Sequence, residues 1–150
     1  MAKIYISCVI EAPVETVWKY IRDFNGLPKW FPGVTDSHIE ADQRSGQVGC
    51  IRNFGLQGGP RMREQLLALS DHTHCCTYKM LEGPLPVRNY VGTVHLLPVT
   101  DGDRTFAEYM VEFDCPREQE NELTTSLSRI YQGAFEHLMR HLPATTKAAD

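Results

Sequence analysis

The segment Pro116–Leu142, PREQENELTTSLSRIYQGAFEHLMRHL, contains the longest helical periodicity in the chain. Its apolar residues recur every three or four positions, which predicts an amphipathic helix with one broad apolar face; they are Leu123, Leu127, Ile130, Ala134, Leu138 and Leu142, with Tyr131 and Phe135 widening the stripe. We expect Asp114 as a cap and Pro116 near the first turn to open this helix, and Pro143 to end it. A helix of this length is roughly 40 Å long, enough to cross a whole sheet.

The middle of the chain, residues 34–113, is expected to form six consecutive strands. Strand-like stretches alternate there with turn-forming residues; the breaks are Arg44-Ser45-Gly46, Gly58-Gly59-Pro60, Ser70-Asp71, Gly83-Pro84 and Asp101-Gly102. Links this short favour antiparallel hairpins, because a parallel crossover needs about a dozen residues or more. We therefore predict an antiparallel meander.

The segment before this meander predicts a strand, a helix and a packed turn. Residues 3–10 alternate in the manner of a strand with one buried face. A helix is expected to begin at Pro13 and to stop near Asp23, since apolar residues follow with helical spacing at Val14, Val17, Trp18 and Ile21. Residues 24–33 predict a short helical turn and a loop. The fold class is α+β: a curved antiparallel sheet of about seven strands around the C-terminal helix, with two short helices after the first strand.

Length and composition indicate a single domain. The chain has 150 residues, 42% of them hydrophobic, which is enough to bury about two thirds of the unfolded surface. We assign residues 1–142 to this domain and expect residues 143–150 to fray, because they carry no apolar stripe.

Charge and cysteine content limit the classes of partner. A net charge of −4 does not favour nucleic acid, and no stretch is apolar enough for stable membrane insertion. The five cysteines lack a framework spacing and follow no secretory segment, so we expect a reduced, cytoplasmic setting. The expected partner is a small molecule or a protein, and a monomer and a dimer both remain open.

Three shorter segments carry a family resemblance. They are APVETVW at residues 12–18, DF at 23–24 followed by LPKW at 27–30, and YVGTV at 90–94. Together with the long helix they resemble the START and birch-pollen-allergen superfamily, specifically its polyketide cyclase/dehydrase branch, over residues 1–142. The resemblance implies the helix-grip fold. Because one helix does not fill the concavity of a strongly curved sheet, we expect an internal cavity that holds a small hydrophobic ligand with a polar or anionic head.

Arg52 and Glu64 are the residues from which a function can be inferred. Both lie in strand-like stretches in phase with apolar neighbours, such as Phe54 and Leu66, so we expect them to point inward. A buried charge is costly unless it is paired or used. A carboxylate in an apolar pocket beside a guanidinium is suited to proton transfer near neutral pH. The alternatives are an internal salt bridge between strands or an exposed cross-strand pair.

A narrower similarity implies roles for these two residues. The segments GCIR at 49–52, REQLL at 63–67 and NYV at 89–91 are similar to corresponding segments of plant lachrymatory factor synthase. This similarity implies that Arg52 clamps an anionic or developing oxyanion group, that Glu64 is a general acid/base, and that Tyr90 is an orienting donor. It implies no particular substrate, and the loop at residues 57–60 differs.

Seven further residues are expected to line the cavity, namely Trp30, Phe54, Leu66, Tyr78, Tyr109, Leu127 and Tyr131. We expect neither a cofactor nor a metal. The run His72-Thr73-His74-Cys75-Cys76 has metal-ligand residue types, but an extended strand does not bring three of them to one point. His137 and His141 lie one turn apart without a third ligand, so we interpret them as part of a solvated face.

Three functions remain open. The first is an enzyme of the cyclase, dehydratase or isomerase kind, and the second is a non-catalytic carrier or sensor of a lipid-like or polyketide-like ligand. The third is a protein-interaction module, which predicts a filled or very small cavity and an exposed apolar patch. The residues favour the first two, and the loops at 57–60 and 82–87 are expected at the cavity mouth.

Overall fold

The computed structural model describes residues 1–143, so the prediction of a frayed tail lies, from residue 144 onward, outside the described residues. The strands are β1 (Ala2–Ile10), β2 (Val34–Ile39), β3 (Ile51–Leu56), β4 (Arg61–Ser70), β5 (Cys75–Glu82), β6 (Arg88–Val99) and β7 (Arg104–Asp114). The helices are α1 (Val14–Arg22) and α2 (Glu120–His141), with short 3-10 segments at Phe24–Lys29, Glu40–Asp42 and Arg117–Gln119.

The strands of residues 1–143 form one seven-stranded sheet in the order β1-β7-β6-β5-β4-β3-β2, with antiparallel pairing throughout. The six strands from β2 to β7 are consecutive hairpins, which confirms the predicted meander. The first strand closes the other end of the sheet by pairing with the last, from Ala2 opposite Phe113 to Ile10 opposite Thr105. The predicted α+β class is confirmed.

The C-terminal helix begins later than the sequence predicts. Residues 117–119 form a 3-10 turn, and α2 starts at Glu120. Asp114 is not a helix cap, because it is the last residue of β7 and its carboxylate accepts a hydrogen bond from Asn89 Nδ2 at 2.9 Å. Proline at position 116 has an extended ψ of 135°, so the helical backbone is established only after it.

The predicted apolar face of α2 packs against the concave side of the sheet. Its buried residues are Leu127, Tyr131, Ala134, Phe135 and Leu138. Ile130 lies at the edge of this face, where it is about half exposed but still borders the space between α2 and the sheet. Over residues 1–143, no helix has both the length and the apolar content needed to cross a membrane.

The segment between α1 and β2 covers one end of the helix–sheet interface. The predicted helical turn is the 3-10 helix Phe24–Lys29, in which Phe24 and Leu27 are buried. Phe31 follows and meets Tyr131 of α2 edge to face, with ring centroids 6.1 Å apart. This segment therefore supplies one wall of the space that α2 and the sheet enclose.

Candidate functional site

A cavity of about 220 Å³ lies between α2, the segment after α1 and the concave face of the sheet. Two charged residues, Arg52 and Glu64, and three tyrosines, Tyr78, Tyr109 and Tyr131, line it, and its other lining residues are apolar. Such a lining, mostly apolar with a few convergent polar groups, is typical of a small-molecule site. The volume lies below the range of about 300–1,000 Å³ that drug-sized ligands use, which indicates a small ligand.

Strand register brings Arg52 and Glu64 together. The two residues are direct partners across β3 and β4, and their position on the concave face leaves them only 6% and 4% exposed. Arg52 Nε donates to Glu64 Oε1 at 2.9 Å, and Arg52 Nη2 lies 2.8 Å from the same oxygen. Among residues 1–143, no donor is bonded to the second carboxylate oxygen, Oε2.

Aromatic rings and a backbone carbonyl hold the Arg52 guanidinium in place. Its central carbon lies 4.1 Å from the ring centroid of Phe24, 4.9 Å from that of Tyr78 and 5.7 Å from that of Phe54. Nη1 donates to the Phe24 carbonyl at 3.2 Å. Cation–π contacts stabilise a desolvated guanidinium, so the orientation of Arg52 is set before any ligand binds.

Burial and the neighbouring guanidinium shift the pKa of Glu64 in opposite directions. Desolvation raises the pKa of Glu64, while the charge of Arg52 and its hydrogen bond lower it, and the net shift is upward. A carboxyl group with a raised pKa exchanges protons more readily near neutral pH than an exposed one.

Three tyrosines come together at the cavity wall. The hydroxyls of Tyr78 on β5 and Tyr109 on β7 are hydrogen-bonded to each other. Tyr131 of α2 stacks on Tyr109 with ring centroids 4.3 Å apart and lines the same cavity. Burial raises the pKa of all three phenols, so they are hydroxyl donors at physiological pH.

Seven of the ten residues predicted for the site lie at the cavity wall: Arg52, Phe54, Glu64, Tyr78, Tyr109, Leu127 and Tyr131. The roles assigned to them stay predictions. The predicted mouth loop 82–87 contributes Pro84 and Leu85 to the wall, whereas residues 57–60 do not line it.

Trp30, Leu66 and Tyr90 do not line this cavity, which corrects their predicted placement. Trp30 is buried behind Phe31, with ring centroids 5.5 Å apart. Leu66 is completely buried in the core. The Tyr90 ring stacks on Phe113 at 5.8 Å, and its buried hydroxyl has no hydrogen-bond partner among the described residues.

Two features of the site were missed in the sequence. Phe24 supplies both the ring and the carbonyl that hold Arg52, and nothing in its local pattern indicates this role. Gly92 lies under the Tyr78 ring. A glycine inside a strand marks a close approach of another group to the backbone, so this signal was available in the sequence.

The fold and the cavity together define a helix-grip protein with an internal ligand site. The family model described as polyketide cyclase/dehydrase and lipid transport matches residues 1–143. The chain belongs to this family.

Several characterised or solved proteins are similar to the chain. The abscisic acid receptor PYL7 of Arabidopsis thaliana is 29% identical over 91 residues, which cover 57% of this chain and 42% of the receptor. The match thus spans less than half the length of that relative. The solved structure of XoxI from Bacillus cereus has a TM-score of 0.85 and 25% identity, covering 95% of this chain and 96% of its own. The solved structure of a protein from Nitrosospira multiformis has a TM-score of 0.80 and 30% identity, covering 97% of this chain and 99% of its own.

Proposed function

We propose that this protein binds a small, mostly apolar molecule with one polar group in the cavity, and that Glu64 transfers a proton to or from it. The observation that carries the proposal is the state of the Glu64 carboxylate. It is 4% exposed, its Oε1 is held by two nitrogens of Arg52, and its Oε2 has no donor among the described residues. An oriented carboxylate with one open oxygen in an apolar site fits the role of a general base or acid.

The proton transfer begins at a carbon next to a ligand carbonyl. Glu64 Oε2 removes a proton from this carbon, the C–H electron pair forms a C=C bond, and the carbonyl oxygen becomes an enolate. The tyrosine hydroxyls are placed in the same cavity and would donate to this oxygen as its charge develops. Return of the proton from Glu64 to another carbon isomerises the ligand. Expulsion of a β-hydroxyl, which leaves as water with this proton, dehydrates it. Attack of the enolate carbon on a second carbonyl, whose oxygen takes up the proton, cyclises it.

Arg52 has a positioning role in this scheme. Its guanidinium is held by Phe24 and Tyr78 and in turn holds Oε1 of Glu64, so the carboxylate keeps one orientation. The same contact favours the ionised carboxylate, which is the form that accepts a proton.

Hydrogen–deuterium exchange tests the proposal without knowledge of the natural product. The protein is incubated in D2O with a panel of small ketones that includes acetophenone, and loss of the α-proton signal is followed by NMR. We expect exchange above the protein-free rate, and Glu64→Gln to reduce it by about 100-fold or more, as for loss of a general base.

The matched control is Glu112→Gln, which removes an exposed strand carboxylate whose nearest cation is Lys3 Nζ at 3.5 Å. Its exchange rate should equal that of the wild type. Glu64→Asp is a second variant in case the Gln variant is unstable, because it keeps the charge but withdraws the carboxylate. Equal exchange by wild type, Glu64→Gln and Glu64→Asp would refute a role for Glu64 in proton transfer.

The alternative function is that of a non-catalytic carrier or sensor. Two observations favour it: Arg52 and Glu64 already balance each other's charge, and one similar protein is an abscisic acid receptor. In this case ligands bind wild type and Glu64→Gln with similar affinity, and neither protein accelerates exchange.

A further inference from the structure

Tyr78 lies flat across Gly92. The two residues are direct partners across β5 and β6. A Cβ atom at position 92 would lie 2.6 Å from both Cζ and the hydroxyl oxygen of Tyr78, and 3.0 Å from Cε1. The ring therefore occupies the volume that any other side chain at position 92 would need.

This crossing determines where the Tyr78 hydroxyl lies. Because the ring passes over β6, its hydroxyl reaches Tyr109 on β7, the next strand of the sheet. Tyr131 arrives from α2 and stacks on Tyr109. Three tyrosines from three different elements thus lie side by side at the cavity wall, and we call their phenol groups the hydroxyl cluster (Tyr78, Tyr109 and Tyr131).

The hydroxyl cluster has O–H donors that its internal hydrogen bond does not use. Each phenol has one proton to donate. The bond between Tyr78 and Tyr109 uses one of their two protons, so one O–H of this pair remains for a ligand oxygen, in addition to that of Tyr131. The cluster is buried, and a donor in such a site is costly when it is left unpaired.

Charge limits the ligand that fits beside this cluster. Arg52 and Glu64 are the charged residues of the cavity lining, and with both ionised the pair has no net charge. A neutral ligand preserves this balance. A carboxylate ligand would add a buried negative charge without a partner, unless one proton is taken up with it.

We propose that the cavity takes a neutral molecule whose carbonyl oxygen accepts a hydrogen bond from the hydroxyl cluster, and that Gly92 is the positioning residue that keeps this cluster assembled. The proposal rests on the proposed function, because it names the ligand class of the same cavity. It goes further in excluding anionic ligands and in assigning a role to a residue with no reactive group.

The test compares acetophenone with benzoate, which have the same ring but a neutral and an anionic head. Affinity is measured by ligand-observed NMR, and the hydrogen bond by the 13C shift and infrared stretch of a 13C-labelled carbonyl. We expect acetophenone to bind at least tenfold more tightly than benzoate, with its carbonyl stretch lowered. Tyr78→Phe should weaken the binding of acetophenone about three- to tenfold, which corresponds to the loss of one hydrogen bond. The lowering of the carbonyl stretch should disappear in this variant.

Gly92→Ala should weaken the binding of acetophenone more than tenfold, because the methyl group displaces the Tyr78 ring. It should also abolish the lowering of the carbonyl stretch. The matched controls are Gly133→Ala, since a Cβ at position 133 meets nothing within 4 Å, and Tyr5→Phe, which removes a phenol bonded to Glu108 on the exposed face. Both controls should bind and shift acetophenone as the wild type does. If Gly92→Ala fails to fold, Tyr78→Phe alone decides about the hydroxyl cluster.

Two outcomes overturn this proposal while leaving the proposed function intact. One is an unchanged carbonyl shift in Tyr78→Phe, and the other is benzoate binding as tightly as acetophenone without proton uptake in calorimetry with buffers of different ionisation enthalpy. The proposed function fails separately, when acetophenone binds with a shifted carbonyl but its methyl protons do not exchange. Failure of both compounds to bind overturns the two proposals together.

Discussion

Two nitrogens of Arg52 converge on a single carboxylate oxygen of Glu64, at 2.9 and 2.8 Å, and the other oxygen of Glu64 accepts no bond from the described residues. A bidentate pair would satisfy both oxygens and serve as a simple structural link. The observed geometry instead fixes the carboxylate of a cavity-lining residue and leaves one of its oxygens without a donor among the described residues. This relationship is the basis of the proposed proton transfer.

Removal of the cation alone should destabilise the protein strongly. Arg52→Met leaves the Glu64 carboxylate buried without a partner, and we expect the free energy of unfolding at pH 7 to fall by about 3–5 kcal/mol. Urea unfolding followed by circular dichroism gives the value. The double variant Arg52→Met/Glu64→Leu should regain most of the loss, because both charges are then absent. Additive losses in the double variant would contradict the assigned ion pair.

The Tyr90 hydroxyl should be dispensable. It is buried and has no hydrogen-bond partner within residues 1–143, so its desolvation is not compensated. We expect Tyr90→Phe to raise the free energy of unfolding by about 1 kcal/mol and to leave ketone exchange unchanged. Chemical denaturation and the exchange assay measure the two effects. A loss of exchange would restore the orienting role that the sequence resemblance implies.

Glu40 should make stability depend on pH in the acidic range. Its hydrogen bonds with Arg63, at 2.6 and 2.8 Å, lower its pKa from 4.5 to about 2. The folded state thus holds the ionised form more strongly than the unfolded state does. This stabilisation is complete above about pH 4.5 and disappears as the pH falls toward 2.

Glu40→Gln should therefore flatten the pH dependence of the unfolding midpoint between pH 5 and pH 2, over which the wild type loses stability. Glu112→Gln is the control, because its exposed ion pair with Lys3 at 3.5 Å contributes little. Identical slopes for wild type and Glu40→Gln would show that the contacts with Arg63 do not stabilise the fold.

Gly133 should be replaceable by alanine with a gain in stability. It lies in the interior of α2, and a Cβ at this position meets nothing within 4 Å. Alanine is favoured over glycine in a helix by about 1 kcal/mol, so Gly133→Ala should raise the free energy of unfolding by that amount. Thermal unfolding provides the measurement. A decrease in the free energy of unfolding would contradict the free space that the structure shows around a Cβ at position 133.

The sequence predicts which strand residues point to the inner face of the sheet. It does not predict which of these inward residues line the cavity and which lie in the packed core. Arg52 and Glu64 were assigned to the inner face because a strand has a period of two, and both point inward. The same rule predicts that Leu66 points inward, which it does, and the family resemblance places Tyr90 at the cavity. Neither argument distinguishes a position at the cavity from one in the packed core. The prediction for Trp30 is wrong for a related reason. The sequence indicates that the Trp30 ring is buried, but not that its neighbour Phe31 forms the cavity wall instead.

The chain's own pattern thus determined the order of elements, the antiparallel pairing and the inward direction of Arg52 and Glu64, because these follow from local periodicity and short connections. Only the tertiary structure decided that Arg52 and Glu64 face each other, since this depends on the register of two strands. It also decided that Tyr78 crosses Gly92 to reach Tyr109. Such contacts join residues far apart in the chain, and their geometry depends on sheet curvature and side-chain rotamers that spacing does not specify.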